Sequence, residues 1–450
     1  MILGHNKIVN LFLISVVLGS GLGYSHIYLF HICLVILIGS WVATKIIGQG
    51  ELFIKPVIGL RHFFLWMLLW YALGLSWSIE QSYTLRYLSY IVFGVAVVYV
   101  VTGRIYSEQS YHSVYAILKS VFVAEIVVAL VEIFTPFRLP TSPYSEYAGL
   151  FGRSATDFSS FEGGTVKYIK SMPTGFRGNP NNLAVVMAAL LPFFLFSPKK
   201  LVKMVGTLAI LVIIVMAGSR GAFIGALLAI VLYMALVHFK PFLIMLLVGF
   251  FALSALIAGL DQLKMSKNPK VVEFAQTIDV VAEYLSEKEN SSSNSISVRQ
   301  QLIKNGLDAL YETGGLGVGG GGSTAVQERQ VDASLKITSM HNFWVEVLVD
   351  GGIGFFLTFV IWYLVVTIRL LLIFRRTLCP FYQYHAGALF TAFTVFGVAC
   401  ISASSVIYLL PMWLMFGMGL GLINAWELRC LLEAADYMDS QPRQVGMAVS

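Results

Sequence analysis

Apolar residues come in runs of membrane-spanning length along nearly the whole chain. A helix needs about 20 apolar residues to cross a bilayer core. Runs near that length fall at about 8–23, 26–47, 61–77, 84–101, 113–134, 181–197, 203–217, 220–237, 241–260, 353–374, 383–402 and 406–425. They predict an all-α, polytopic membrane protein of about twelve transmembrane helices, with residues 1–450 forming one integral membrane domain. Two long polar segments interrupt the rhythm, at about 135–180 and 261–352. Loops of that length usually carry function or are disordered. The second predicts a partly helical outward loop. Val271–Glu287 reads as helix and Glu289–Ser297 as a flexible stretch. Val298–Leu310 reads as an amphipathic helix with Leu302, Ile303, Leu307 and Leu310 on its apolar side. Gly314–Ser323 is a glycine-rich turn, and Ser339–Gly352 (SMHNFWVEVLVDGG) comes after it. The uninterrupted apolar run starts only at Ile353. His341–Asp350 therefore predicts a separate short helix at the membrane surface, broken from its span at Gly351-Gly352.

Composition agrees with the pattern. With 57% hydrophobic and 12% charged residues, a soluble chain would expose large apolar patches. The net charge of +6 is then first an orientation signal and does not point to nucleic acid. With the N-terminus inside, inner loops collect Lys45, Lys55, Arg61, Arg104, Lys199, Lys200, Lys203, Lys240, Arg375 and Arg376, and the tail holds Arg429 and Arg443. That bias predicts both termini on the cytoplasmic side. None of Cys33, Cys379, Cys400 and Cys430 falls in an outward loop on this topology, so no disulfide framework is expected. The first apolar run lacks a small-x-small cleavage site and reads as a retained span. No His, Cys or carboxylate spacing demands a metal.

Chemistry-bearing residues gather on the outward side. Arg220, in MAGSRGAFIGA, lies at an outward hairpin among small residues. An Arg within a span costs roughly 2.5–3.5 kcal/mol on insertion scales, so it faces a polar cavity or partner, or else snorkels. Arg299, with Lys304 beyond it, opens the amphipathic helix. A guanidinium there suits a phosphate or diphosphate through paired charge-assisted bonds, or it anchors headgroups. Arg177, in GFRGNPNN, and Arg86, in SYTLRYLSY, are further outward cations, while the asparagines after Arg177 suit a helix cap. Gly315, Gly317 and Gly320 form a formal GxGxxG. No strand precedes it, so a backbone turn is the better reading than a nucleotide site. His341 and Asn342 stand at a helix start, which favours a nearby anion and a neutral imidazole. A neutral His beside an anion can act as general base; a cap or interfacial His is the alternative. Glu346 and Asp350 share a helix face and either pair with Arg299 or Arg220 or solvate the helix.

The ordered set GFRGNPNN, GSRG, R-x-x-L-I-K-N-G-L, G-L-G-V-G-G-G and H-N-F-W-V-E-V-L-V-D-G-G resembles the O-antigen ligase-like superfamily of bacterial envelope glycosyltransferases, over roughly 175–355. That family's pattern expects a small residue where Phe355 stands, a departure that bears on packing. The resemblance implies a GT-C-type fold in the bacterial cytoplasmic membrane, and surface polysaccharide biosynthesis. It implies an undecaprenyl-diphosphate-linked oligosaccharide donor and metal-independent, inverting transfer with no cofactor. His341 would be the essential His, Arg220 and Arg299 would hold the diphosphate, and Arg177 would assist. Asn342, Glu346, Lys304 and Arg86 are candidate supporting residues. A polymerase, accepting another lipid-linked glycan with a chain-length regulator protein as partner, fits best. The alternatives are an O-antigen ligase accepting lipid A–core and, from another class, a lipid-linked glycan flippase.

Overall fold

A computed structural model of the chain describes residues 2–46, 56–156, 159, 166, 169–244, 246–249, 251, 295–330, 339–403 and 405–440. These residues are almost entirely helical. In chain order the helices are α1 (Ile2–Leu18), α2 (Leu29–Ile46), α3 (Phe63–Leu73), α4 (Gln81–Arg104), α5 (Glu108–Phe134) and α6 (Pro180–Leu195). Next come α7 (Lys200–Met216), α8 (Arg220–Val237), α9 (Ser295–Glu312), α10 (Gly322–Gln330), α11 (Phe343–Arg376), α12 (Pro380–Ala399) and α13 (Leu410–Ser440). A two-stranded hairpin, β1 (Gly23–Tyr24) against β2 (Ile27–Tyr28), joins α1 to α2. Each expected apolar run falls on one of these helices except 241–260, whose described part is helical, within Phe239–Gly249, and the rest of which lies outside the described residues. The expected helix Val271–Glu287, nearly all of the flexible stretch Glu289–Ser297, and Lys55 and Arg443 lie outside them too. Among the described residues, α2, α4, α5, α8 and α11 are long and apolar enough to cross a membrane. The chain is a helical, polytopic membrane protein.

Caps written in the sequence start several helices. Ser107 and Ser110 form a capping box at α5. Asn179 accepts from the Asn181 and Asn182 amides (2.9 and 3.2 Å) with Pro180 in the first turn of α6, the capping expected of that run. Small residues then let the helices approach closely. A Cβ on Gly94 of α4 would fall 2.1 Å from the Trp413 indole of α13. Gly225 of α8 rests on Val395 and Ala399 of α12 in the same way. The second helix pair matters most here, because it brings the start of α8 to the end of α12.

The long polar segment before α11 is organised by the break in that helix. Gly352 has φ +79°, so the helix kinks there instead of running straight into its span. The glycine loop 314–322 lies against the kink, backbone on backbone. The Val318 and Gly319 amides donate to the Val349 and Asp350 carbonyls (2.9 and 3.2 Å), and Ile353 donates to the Gly315 carbonyl (2.9 Å). Asp350 accepts from the Gly321 and Ser323 amides (2.8 and 2.9 Å) and so caps α10, a helix the sequence pattern did not signal. The Trp70 indole donates to the Gly351 carbonyl (2.7 Å). Phe355, in place of the family's small residue, is buried and packs edge-on against Tyr71, at 5.2 Å between ring centres. α9 runs over Ser295–Glu312, longer at both ends than Val298–Leu310. Leu302 and Leu310 are buried and Ile303 partly so, but Leu307 is exposed, against expectation. A small separate core of Ala309, Val318, Val326, Met340 and Val349 ties α9 and α10 to α11.

Gly352→Ala places a Cβ 2.2 Å from the Leu316 carbonyl oxygen at a left-handed backbone position. The expected cost is at least about 1–3 kcal/mol, seen as a lower melting temperature of the detergent-solubilised protein. Gly354→Ala, with nothing within 4 Å, serves as the control and leaves that temperature unchanged or slightly higher. Equal behaviour of the two variants contradicts the docked kink.

Candidate functional site

His341 is one of two described non-glycine residues with positive φ (+47°), a conformation uncommon for an L side chain. The three residues after it hold it in position. Asn342 caps α11, accepting from the Trp344 and Val345 amides (3.2 and 3.3 Å). The Phe343 amide donates to the Cys400 carbonyl (3.4 Å), and the Trp344 indole to the Gly397 carbonyl (2.7 Å). The chain just after His341 is thereby pinned to the C-terminal end of α12. The imidazole hydrogen-bonds the Ser402 carbonyl, and its Nδ1 is buried without a partner. Burial first, and the Arg299 charge second, push its pKa down to about 4, with the Ser402 carbonyl opposing. The neutral imidazole expected from the sequence is present, but burial is the leading cause, not the helix start. A neutral ring that donates to a carbonyl at one nitrogen presents a lone pair at the other.

Arg299 reaches His341 because of helical spacing. Arg299, Leu302 and Gly306 share one face of α9. Leu302 is buried, and a Cβ on Gly306 would meet Met340 at 2.7 Å, so that face lies against the residue preceding His341. Arg299 is partly buried, and burial followed by the Arg220 charge lowers its proton affinity. Arg220 is the first residue of α8 and is exposed. Its neighbours are clamped to the segment after α12: the Ser219 and Ser402 hydroxyls lie 3.0 Å apart. A Cβ on Gly221 would come within 2.7 Å of the Ser402 oxygen. Arg220 thus acts on Arg299, and Arg299 on His341. Two cations, one near enough to act on the other, beside a neutral base, suit a multiply charged anion.

The other sequence-selected residues lie apart or do different work. Arg177 is buried and ion-paired with Glu125 of α5 (2.6 Å), so its guanidinium faces a carboxylate. Arg86 is exposed in the first turns of α4 and lies 5.4 Å above the Tyr83 ring. Lys304 is exposed on α9. Glu346 and Asp350 neither pair with Arg299 or Arg220 nor solvate the helix, as was expected of them. Both are buried. Glu346 Oε1 accepts from the Tyr87 hydroxyl (2.5 Å) and the Ser405 hydroxyl (2.6 Å), and Asp350 holds the glycine loop. The correction has a simple cause: the glycine loop and α4 cover the face that a free surface helix would expose.

Sequence reasoning missed Ser402, whose carbonyl meets His341 while its hydroxyl meets Ser219, and Ser405, which holds Glu346. Both sit in the short segment between α12 and α13, within the apolar-to-polar edge of two spans. No charge or motif marks them.

Residues 205–360 match the family model described as O-antigen ligase. The chain is also similar to the teichuronic acid biosynthesis protein TuaE of Bacillus subtilis (strain 168), 24% identical over 378 residues, or 82% of this chain and 72% of the relative. The resemblance read from the motifs is borne out: the chain is similar to the O-antigen ligase family over these residues and, over most of its length, to a protein of teichuronic acid biosynthesis. The matched region contains Arg220, Arg299 and His341, whereas Arg177 and Ser402 lie outside it.

If the arginines and His341 face one space, inorganic pyrophosphate bound there offsets the Arg299 charge and raises the imidazole pKa from about 4 toward the ordinary 6.5. Histidine-labelled protein titrated by NMR, with His341→Gln to assign the signal, reads this directly. The expected result is an upward shift of His341 on adding pyrophosphate. An unmoved titration at saturating pyrophosphate removes the shared anion site.

Proposed function

We propose that the protein is a membrane glycosyltransferase that polymerises undecaprenyl-diphosphate-linked oligosaccharide at the outer face of the bacterial cytoplasmic membrane. The observation that carries this reading is the chain of interactions from Arg220 through Arg299 to a neutral, partly buried His341. The proposed architecture is GT-C-type with about twelve spans and both termini cytoplasmic. His341 takes the proton of an acceptor hydroxyl. The acceptor oxygen attacks the anomeric carbon from the face opposite the diphosphate, and the carbon–oxygen bond to the diphosphate breaks with inversion. The bonding pair leaves with the lipid diphosphate, where Arg220 and Arg299 stabilise the developing charge. Such a leaving group requires neither nucleotide nor metal. The acceptor is a second lipid-linked glycan, and a chain-length regulator is the proposed partner protein. Arg177 keeps at most an indirect part in this scheme, because its ion pair with Glu125 engages its charge.

Purified protein in proteoliposomes with a lipid-diphosphate repeat unit tests the reading. A ladder of products without lipid A–core identifies a polymerase, product only with core identifies a ligase, and donor movement without product identifies a flippase. His341→Ala is expected to insert normally and lose about 10²–10⁴-fold in transfer rate. Arg299→Lys, which keeps the charge and loses the planar fork, is expected to lose about tenfold or more. Wild-type rates in either variant count against its assigned role.

A further inference from the structure

Close to His341 lies a second polar cluster that the proposed proton transfer and diphosphate binding leave unused. Glu346 comes five residues after His341 and is 2% exposed. Its Oε1 is fully occupied by the Tyr87 and Ser405 hydroxyls, while its Oε2 is buried with no partner. Asn182, 1% exposed in the first turn of α6, donates its Nδ2 to the Tyr408 hydroxyl (2.9 Å), and its Oδ1 also lacks a partner. Tyr408 connects the two. It is bonded to Asn182, it lies within electrostatic reach of Glu346, and 41% of it is exposed. Tyr90 flanks it, with ring centres 6.0 Å apart. Four separate parts of the chain therefore meet here: α4, α6, α11 and the segment between α12 and α13.

Buried polar atoms without partners are uncommon and ask for an explanation. One is a carboxyl oxygen and the other an amide carbonyl oxygen, and both side chains are held by bonds at their other ends. Neither can turn away to satisfy itself. A ligand that completes them brings hydroxyl or amide hydrogens. A phosphate leaves Asn182 Oδ1 unsatisfied, since an amide oxygen can only accept, whereas a sugar hydroxyl both donates and accepts and so serves both groups. The exposed tyrosine adds an aromatic surface that suits the C–H face of a pyranose ring. The groups acting on Glu346 are Asp350, Tyr87 and Ser405, none of them cationic. The cations instead act on one another and on His341.

We propose that Glu346, Asn182 and Tyr408 form a carbohydrate subsite that grips the sugar bearing the acceptor hydroxyl. This rests on the reading of His341 as base and of Arg220 and Arg299 as the diphosphate site. In-line displacement requires the acceptor to approach from the face opposite the leaving group, so its grip belongs with the hydrogen-accepting groups and away from the arginines. Tyr408, half-exposed, is the ring against which the sugar packs, and Glu346 and Asn182 take its hydroxyl hydrogens.

The test uses the full chain in nanodiscs and two probes: inorganic pyrophosphate, and the repeat-unit oligosaccharide released from the host's lipid-linked pool by mild acid. Saturation-transfer NMR reads the glycan and calorimetry reads pyrophosphate. Tyr408→Ala and Asn182→Ala are expected to weaken the glycan at least tenfold, and to raise the acceptor KM to match, with pyrophosphate affinity within twofold of wild type. Melting temperatures identify any variant that fails to fold; Tyr408, at the surface, keeps the test open should Asn182→Ala not fold. Unchanged glycan binding in folded Tyr408→Ala, or parallel loss of both probes, overturns the subsite. Wild-type protein that binds pyrophosphate but no glycan overturns the subsite and leaves the diphosphate reading standing. Wild-type protein that binds neither overturns both.

Discussion

The site depends on a contact between two pieces of bare backbone. The glycine loop 314–322 can lie on the kink of α11 only because neither surface carries a Cβ at the contact. One on Gly317 would fall 2.5 Å from the Gly352 amide nitrogen, and one on Gly352 would fall 2.2 Å from the Leu316 carbonyl oxygen. Carbonyls freed by the kink are answered by the loop's amides, so the break leaves few backbone groups unsatisfied in an apolar setting. The loop is the direct continuation of α9. Fixing it on α11 therefore fixes the helix bearing Arg299 against the residue that precedes His341. Asp350 belongs to this joint. A carboxylate on a surface helix reads as solvation or ion pairing, yet here it is the cap of α10 and the clasp of the loop.

The segment between α12 and α13 supplies the second constraint. The α8–α12 contact through Gly225 and Gly221 brings Ser219 to Ser402, and Arg220 is the next residue along. The same segment receives His341 at a carbonyl, Phe343 at the Cys400 carbonyl, and Glu346 at the Ser405 hydroxyl. Residues beyond the C-terminal end of the family-matched region thus complete the arrangement, and the matched region alone does not contain everything that holds His341 in place.

Much of this was legible in the sequence, and the failures share one cause. Apolar runs marked the helices, because bilayer thickness fixes their length. Asn179-Pro180 and Asn342 marked helix starts, because capping is local. Gly351-Gly352 marked the kink. Arg220 and Arg299 stood out because cations are sparse among outward apolar segments. What was not legible depends on partners distant in sequence. Glu346 and Asp350 were misread because the loop and α4 that bury them cannot be inferred from an i,i+4 spacing. Leu307 was misplaced because a twofold choice of apolar face is settled by what α9 packs on. Arg177 resembled the other outward arginines, and only the fold shows it beside Glu125. Ser402 and Ser405 act through position and carry no signal in their own type.

In the proposed mechanism, the electrostatic state of the site fits a base that works best beside a bound anion. A histidine held near pKa 4 by burial and by Arg299 is by itself a weak proton acceptor. An anion at the arginines removes part of that penalty, because the charge that opposed the imidazolium is then balanced. Under the proposed function, the event that delivers the leaving group would also raise the basicity of His341 toward the range in which general-base catalysis is efficient. The burial that sets the low value does not need to be undone. It strengthens the interaction between imidazolium and diphosphate once both are present. A lysine in place of Arg299 would supply the same charge, but its single-point ammonium cannot hold two phosphate oxygens in one plane. In the proposed scheme the coupling of base to leaving group therefore depends on the shape of the cation as well as on its sign.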